Sequence, residues 1–230
     1  MLDIVPAQVA RPCVSMRAPG TLAEAIRHHP VLQLLPQAAC AVAHDHGTLR
    51  QCAPGEIVDL SDRIGFVVQG YLATFDANGL ACVAHYAPGA MFGLETALTP
   101  GASVRLLGMV ESVWIDLPAS SLSREMGLQW VEHVFARHAL GRLTRLQADA
   151  ACNAVHQIPQ RLANLIRRLH TAEGREIRTT QTILGQALGV QRTSVNAALK
   201  VLERDGALRL GRGRLIVLDP GKLGRFACGC

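Results

Sequence analysis

The residues best suited to chemistry in this 230-residue chain lie between Thr179 and Val217, in TTQTILGQALGVQRTSVNAALKVLERDGALRLGRGRLIV. Arg192, Thr193 and Asn196 are small or cationic hydrogen-bonding groups on one side of a helical pattern. Groups of that kind can reach base edges in the major groove of a duplex. Gln191 stands at the start of the same helix. Thr180, Ser194, Lys200, Arg212 and Arg214 offer hydroxyl, ammonium and guanidinium donors suited to phosphate oxygens. Such groups would suit recognition of double-stranded DNA by hydrogen bonds and charge, with no bond made or broken.

Those side chains need a scaffold, and the sequence around them supplies one. Ile183, Leu184, Ala187 and Leu188 recur at helical spacing, Thr180 can cap that helix, and Gly189 can end it. On the second helix Val195, Leu199 and Leu202 form the inward stripe, which leaves Arg192, Thr193, Asn196 and Lys200 on or near the opposite face. Asp205-Gly206 closes this helix. Leu208 to Leu218 reads as two strands joined by Gly211-Arg212-Gly213-Arg214. The whole predicts a helix-turn-helix with a wing, the alternative being a helical hairpin in an ordinary core. Charge separates the two readings: from Val155 onward there are 13 Lys and Arg against 5 Asp and Glu, and before it 10 against 13. The positive footprint coincides with the motif, as electrostatic capture of phosphate requires.

The run LGQALGVQRTSVNAALKVLERDGALRLGRGRLIVLD resembles the C-terminal winged helix of Crp/Fnr-type transcription regulators, the catabolite activator protein family. Spacing and glycine placement upstream are similar to that family's β-roll and long dimer helix, so the likeness covers about residues 21 to 220. The resemblance implies a homodimer that binds a two-fold symmetric operator and contacts RNA polymerase. Relative to the family's best-known pattern, Thr193 replaces an acidic residue and Ala197 an arginine, which implies a different operator. The family's cyclic-nucleotide segment corresponds to GAMFGLETALTPGASVRLLG. Here Glu95 falls one place late after Gly93, and Leu106 follows Arg105 where a small hydroxyl residue is expected. Glu95 and Arg105 are the candidate effector-binding pair, but a phosphate there would be poorly satisfied. Cyclic AMP is therefore not the expected ligand. A mutual or surface ion pair is the plainer reading of both residues.

The rest of the chain fits that plan. The expected fold class is α+β, with an antiparallel β-roll, a long dimerisation helix and a winged helix-turn-helix. The expected divisions are an arm over 1–20, a sensor roll over 21–118, the long helix over 119–157 and the DNA-binding domain with a short tail over 158–230. Thr21 to about His46 is helical in pattern with breaks at Pro30 and Pro36. Gly47 to Pro118 carries short apolar runs separated by Gly, Pro and Asn, with Asn78-Gly79 a hairpin turn. Pro118 to about His156 is one long helical pattern capped by Ser120 or Ser121. In it Val131, Val134, Phe135, His138, Arg142, Leu146 and Asp149 or Ala150 form a stripe flanked by Leu140 and Leu143. The chain's own roll would cover part of it, and its length together with the family resemblance implies a partner helix as the other cover. Ile158-Pro159 interrupts it where a hinge would sit, and Leu162, Leu165, Ile166 and Leu169 stripe the next helix.

Nearly half of the residues are apolar, no stretch approaches a membrane span, and the N-terminal twenty lack the apolar run of a signal peptide. A cytoplasmic protein is expected, and seven cysteines without a regular framework agree with a reducing compartment. A redox, metal or haem sensor is the alternative to a small-molecule effector. Cys13, Cys40 and Cys52 are too far apart for the family's iron–sulfur branch. Cys152 and His156 are four apart on one helix face, and Cys228-Gly229-Cys230 adds two more soft donors. A buried Cys152 and a frayed tail are the simpler expectation, so no metal site is assigned and the cofactor stays open. A DNA-modifying cysteine enzyme would need a thiolate-stabilising neighbourhood. Cys152, between Ala151 and Asn153, has none in sequence, and no enzyme is expected.

Overall fold

The computed structural model describes residues 20–76, 81–99 and 101–228. The turn expected at Asn78-Gly79, and the arm up to residue 19, lie outside the described residues. Pro30 and Pro36 divide the N-terminal apolar pattern, as expected, into α1 (Leu22–His28), a 3-10 turn over Leu32–Leu34 and α2 (Gln37–His46). The Thr21 hydroxyl caps α1 by accepting from the Glu24 N–H at 3.2 Å.

The roll follows as β1 (Thr48–Cys52), β2 (Ile57–Ser61), β3 (Arg63–Gln69), β4 (Leu72–Phe75), β5 (Cys82–Tyr86), β6 (Met91–Phe92), the short α3 (Leu94–Leu98), β7 (Ser103–Gly108) and β8 (Ser112–Pro118). Its strands form two four-stranded antiparallel sheets, in the orders β1-β8-β3-β6 and β2-β7-β4-β5. Trp114, Phe92, Leu72 and Leu106 fill the space between the sheets. Ile26, Val42, Phe66 and Ile115 join the N-terminal helices to the first sheet. Asp116 in β8 is fully buried, bridged by Arg50 of β1 at 3.0 Å and Arg63 of β3 at 3.4 Å. Burial pushes its carboxyl up, and the two guanidinium groups oppose that shift.

The long helical pattern is broken, contrary to the expectation of one helix. Gly127 takes φ 80° and ψ 150°, a conformation that suits glycine. It separates α4 (Ala119–Met126) from the 28-residue α5 (Leu128–Val155). The expected serine cap also gives way to a long-range one. Asp62, held at φ 52°, accepts from the Ser120 N–H at 2.9 Å and from its hydroxyl at 2.7 Å.

Gln157 and Gln160 form a reciprocal capping box that starts α6 (Ile158–Glu173), with Pro159 in its first turn. Then come β9 (Glu176–Ile177), α7 (Gln181–Leu188), α8 (Arg192–Arg204), β10 (Leu208–Gly211), β11 (Arg214–Val217) and α9 (Pro220–Phe226). α9 is capped by Asp219 accepting from the Lys222 N–H, and of the end expected to fray, Cys228-Gly229-Cys230, the last two residues lie outside the described residues. Leu162, Leu165, Ile166 and Leu169 of α6 pack with Leu184, Val195, Leu199, Leu202 and Leu223. Tyr71, Leu107, Met109 and Val110 of the roll belong to the same cluster, so one core runs from the roll into the C-terminal third. No described helix is long and apolar enough to cross a membrane.

Candidate nucleic-acid interface

α7 and α8 meet through a turn that the sequence shapes at two glycines. Gly189 sits in the left-handed region at φ 64° and its N–H returns to the carbonyls of Gln186 and Gly185. Gly185 lets the turn close: a Cβ there would lie 2.8 Å from the Val190 carbonyl oxygen. Thr180 caps α7, its hydroxyl accepting from the Ile183 N–H at 3.3 Å. Val195, Ala198, Leu199 and Leu202 of α8 are buried, which fixes the helix's roll about its own axis.

The opposite side of α8 carries the candidate donors. Gln191, Arg192, Thr193 and Lys200 are exposed, while Ser194 and Asn196 are half-buried. Asn196 is not wholly available, because its side-chain oxygen accepts from Gln181 Nε2 at 3.2 Å. What it offers outward is its NH₂ group. β10 and β11 pair from Leu208↔Val217 to Gly211↔Arg214, so the wing turn is only Arg212-Gly213, with Gly213 at φ 70°. Arg212 stands exposed at its tip. Arg214 is exposed but lies 3.2 Å from Glu176, which also takes Arg178 at 3.6 Å. Lys222 donates to the Asp205 carbonyl at 2.7 Å, tying α9 to the end of α8.

Two residues at this surface escaped the sequence reading. Arg178, whose side chain is 74% exposed, adds a cation beside the cap of α7. Gln181 positions Asn196. The signal for Gln181 was available, since it occupies the first turn of α7, but its partner lies on the other helix. A groove of about 380 Å³ runs between wing and helices, lined by Thr180, Gln181, Arg192, Gly211 and Arg214 among others. A second cleft, of about 450 Å³, separates the start of α8 from the roll. Gln186, Gln191 and Arg192 line one wall and Ile57, Phe75 and Arg105 the other.

The candidate effector pair is taken apart. Glu95 in α3 lies 3.3 Å from Arg142 of α5, and that guanidinium also covers the Tyr86 ring, 5.7 Å from its centroid. Arg105 on β7 pairs at 2.9 Å with Asp59, its register partner on β2. The mutual pair considered from sequence is not formed, because the two residues serve different walls of the roll. His138 lies beside Arg142, and burial first, then that guanidinium, lowers its pKa to about 4.

A capped helix pair with a cationic wing, beside a two-sheet roll, defines a winged helix-turn-helix protein with an antiparallel β-roll as its N-terminal domain. Residues 160–226 match the Crp-like helix-turn-helix domain. Among solved structures, one described as a transcriptional regulator of the Crp/Fnr family from Eubacterium rectale is 17% identical, with a TM-score of 0.65 over 86% of this chain and 97% of that one. FixK2 from Bradyrhizobium japonicum is 18% identical, with a TM-score of 0.63 over 80% and 98%. A CRP-family regulator from Thermus thermophilus is 21% identical, with a TM-score of 0.61 over 77% and 95%. A search of curated proteins returns no match. The chain therefore carries a Crp-like helix-turn-helix domain over residues 160–226, and its fold is similar to those Crp/Fnr-family structures.

Proposed function

We propose that this chain is a sequence-specific DNA-binding transcription regulator that acts as a homodimer on a two-fold symmetric operator. The observation that carries the reading is the exposed row Gln191, Arg192, Thr193 and Lys200 on a packed, capped helix, framed by Arg212 at the wing tip. Arg192, Thr193 and the Asn196 NH₂ are assigned to base edges. Thr180, Ser194, Lys200, Arg212 and Arg214 are assigned to phosphates, with Arg178 added to them. The working divisions are the roll over 21–118, the helical connection over 119–157 and the reading head over 158–230. Contact with RNA polymerase belongs to the same reading. So does an effector held in the roll other than cyclic AMP, because Glu95 and Arg105 are each engaged by another residue.

The cleft between Arg192 and the roll has a mechanistic consequence. A space of about 450 Å³ admits a small molecule and excludes a duplex. Full engagement of the start of α8 therefore calls for the head to move about the joint at Ile158-Pro159, and an effector that favoured the moved position would switch DNA binding.

Anisotropy titrations of Arg192→Ala and Arg212→Ala against selected and random duplexes test the assignment. Arg192→Ala is expected to relax base preference by about 1–3 kcal/mol at one operator position. Arg212→Ala is expected to weaken all sequences alike and reduce the salt slope by about one. Equal losses on specific and random DNA from both variants would refute the assignment. No affinity for any duplex at low salt would remove the function itself.

A further inference from the structure

Among the described residues, one cluster of metal-ligating side chains is left over by the proposed function. Cys152 is on the last turn of α5, His156 caps that helix one turn on, and Cys228 follows α9. Four residues separate Cys152 from His156, so both side chains lie on one face of the chain as the helix ends. α9 returns alongside α6, with Leu223 in the shared core, and this return brings Cys228 up to the same place from 76 residues away. The two Sγ atoms are 3.2 Å apart, and each cysteine is 6% exposed. The sulfurs and an imidazole nitrogen all lie within 4.8 Å of one another. No described cysteine is in a disulfide.

From this convergence the geometry points to a binding site for a thiophilic divalent cation of the zinc type, held by Cys152, His156 and Cys228. Two thiolates and a neutral imidazole are three protein donors that Zn²⁺ takes in tetrahedral sites whose fourth position is filled by water. The two thiolates also cancel its charge, which matters at a place nearly closed to water. With Zn–S near ~2.3 Å and Zn–N near ~2.0 Å, tetrahedral donors stand roughly 3.4–3.8 Å apart. The present spacings, 3.2 Å to at most 4.8 Å, reach that range by side-chain rotation without moving the helices. Binding releases the two thiol protons to solvent and changes no oxidation state. A disulfide would account for the two sulfurs alone, whereas a bound metal would engage the imidazole as well.

The location assigns a role. The site joins the end of the long helix to the C-terminal helix across the joint that precedes α6, so a bound cation would fasten the reading head to α5. Metal occupancy is therefore expected to raise the thermal midpoint and to slow proteolysis at the joint. Neither readout involves DNA, so the outcome stands apart from that of the duplex titrations.

The full chain, stripped with a chelator and kept reduced with a phosphine, is titrated with Co²⁺ and then Zn²⁺. The expected result is one equivalent of Co²⁺ per chain, with thiolate-to-cobalt charge-transfer and tetrahedral ligand-field bands that Zn²⁺ abolishes. Cys152→Ser and Cys228→Ser are expected to lose the charge-transfer band and at least about 100-fold in affinity. His156→Gln is expected to weaken binding and shift the ligand-field bands, and Cys40→Ser, whose thiol faces the Leu32 carbonyl, to change nothing. Far-UV circular dichroism confirms that each variant is folded, and the wild-type bands are informative even where a variant is not. Absence of cobalt bands in folded, reduced wild type overturns the proposal, as does their persistence in both serine variants. Peptide mapping that finds a Cys152–Cys228 disulfide, with a reduced form that takes no metal, also overturns it.

Discussion

At the scale of single residues, the histidines show how burial turns into a pH dependence. His29 is almost fully enclosed, its Nε2 3.2 Å from the Val67 carbonyl and its Nδ1 3.4 Å from the Leu32 N–H. The carbonyl can only accept and the N–H can only donate, so the ring is held neutral with its proton on Nε2. Burial lowers its pKa to about 4, against a smaller opposing effect of the Val67 carbonyl. His85 and His138 are likewise lowered to about 4, mainly by burial. The unfolded chain takes up these protons near pH 6.5 and the folded one not until about pH 4. Stability is therefore complete above about pH 6.5 and falls through the interval down to about 4, by about 3 kcal/mol for each such histidine. A thermal midpoint that stays level from pH 7 to pH 4.5 would contradict this, and His29→Gln should flatten the curve.

The turn residues permit an equally direct test. Gly185→Val is expected to cost about 3 kcal/mol, since any Cβ meets the Val190 carbonyl at 2.8 Å. The variant should lower the midpoint and abolish duplex binding together. Residues such as these were legible because their meaning is local: Thr180 caps, Gly189 turns and Val195 packs within a few positions of where each stands. Glu95 and Asn196 were not fully legible, since their partners Arg142 and Gln181 lie 47 and 15 residues away. Composition and spacing carry no record of such pairings.

Among the elements, α5 shows what periodicity can and cannot tell. Its apolar and polar positions mark it as a helix, but the face that meets the roll is not the greasier one. Val131 is buried, and His138, Arg142 and Asp149 are partly covered. Leu140 and Leu143 are more than half exposed and Leu146 over a third. Of the stripe read from sequence, Val131, His138 and Arg142 are thus covered within the chain, while Leu146 of that stripe and its flank Leu140 and Leu143 are left bare. Polar groups face inward because they meet charged partners there: Glu95 of the roll for Arg142, and for Asp149 the guanidinium of Arg168 on α6 at 2.9 Å. A second copy of α5 is the cover that the proposed homodimer supplies. Replacing Leu140 and Leu143 together by Asp is expected to convert a dimer to monomer in sedimentation equilibrium and to weaken operator binding at least about tenfold, through loss of the second head. The Gly127 break escaped the sequence reading because a glycine between helical segments is compatible with either a kink or an uninterrupted run.

For the molecule as a whole, the main fact is that roll and reading head share a core. Tyr71, Leu107, Met109 and Val110 contribute to the same cluster as Leu162, Leu184 and Leu199. Arg168 of α6 is half-buried beside Tyr71, whose hydroxyl is pushed up to about 12, chiefly by burial. The two halves are therefore coupled by packing as well as by the chain that joins them. The sequence could show both halves and the joint between them, but not that they touch, since each stripe would look the same if it packed only within its own domain. Phe75 lines the cleft facing Arg192 and packs against the shared core from the roll side. Phe75→Ala removes contact area that exists only while the head is in this position, which weakens docking by about 1–3 kcal/mol if half of the ring's burial is lost. Should this arrangement hold the start of α8 away from DNA, the variant gains affinity for all duplexes, by at most the roughly 5- to 150-fold that this loss represents, with the base preference of wild type. Anisotropy on matched and random duplexes measures both quantities, and a folded Phe75→Ala protein that binds DNA no better than wild type rules out a restraining role for the docked head.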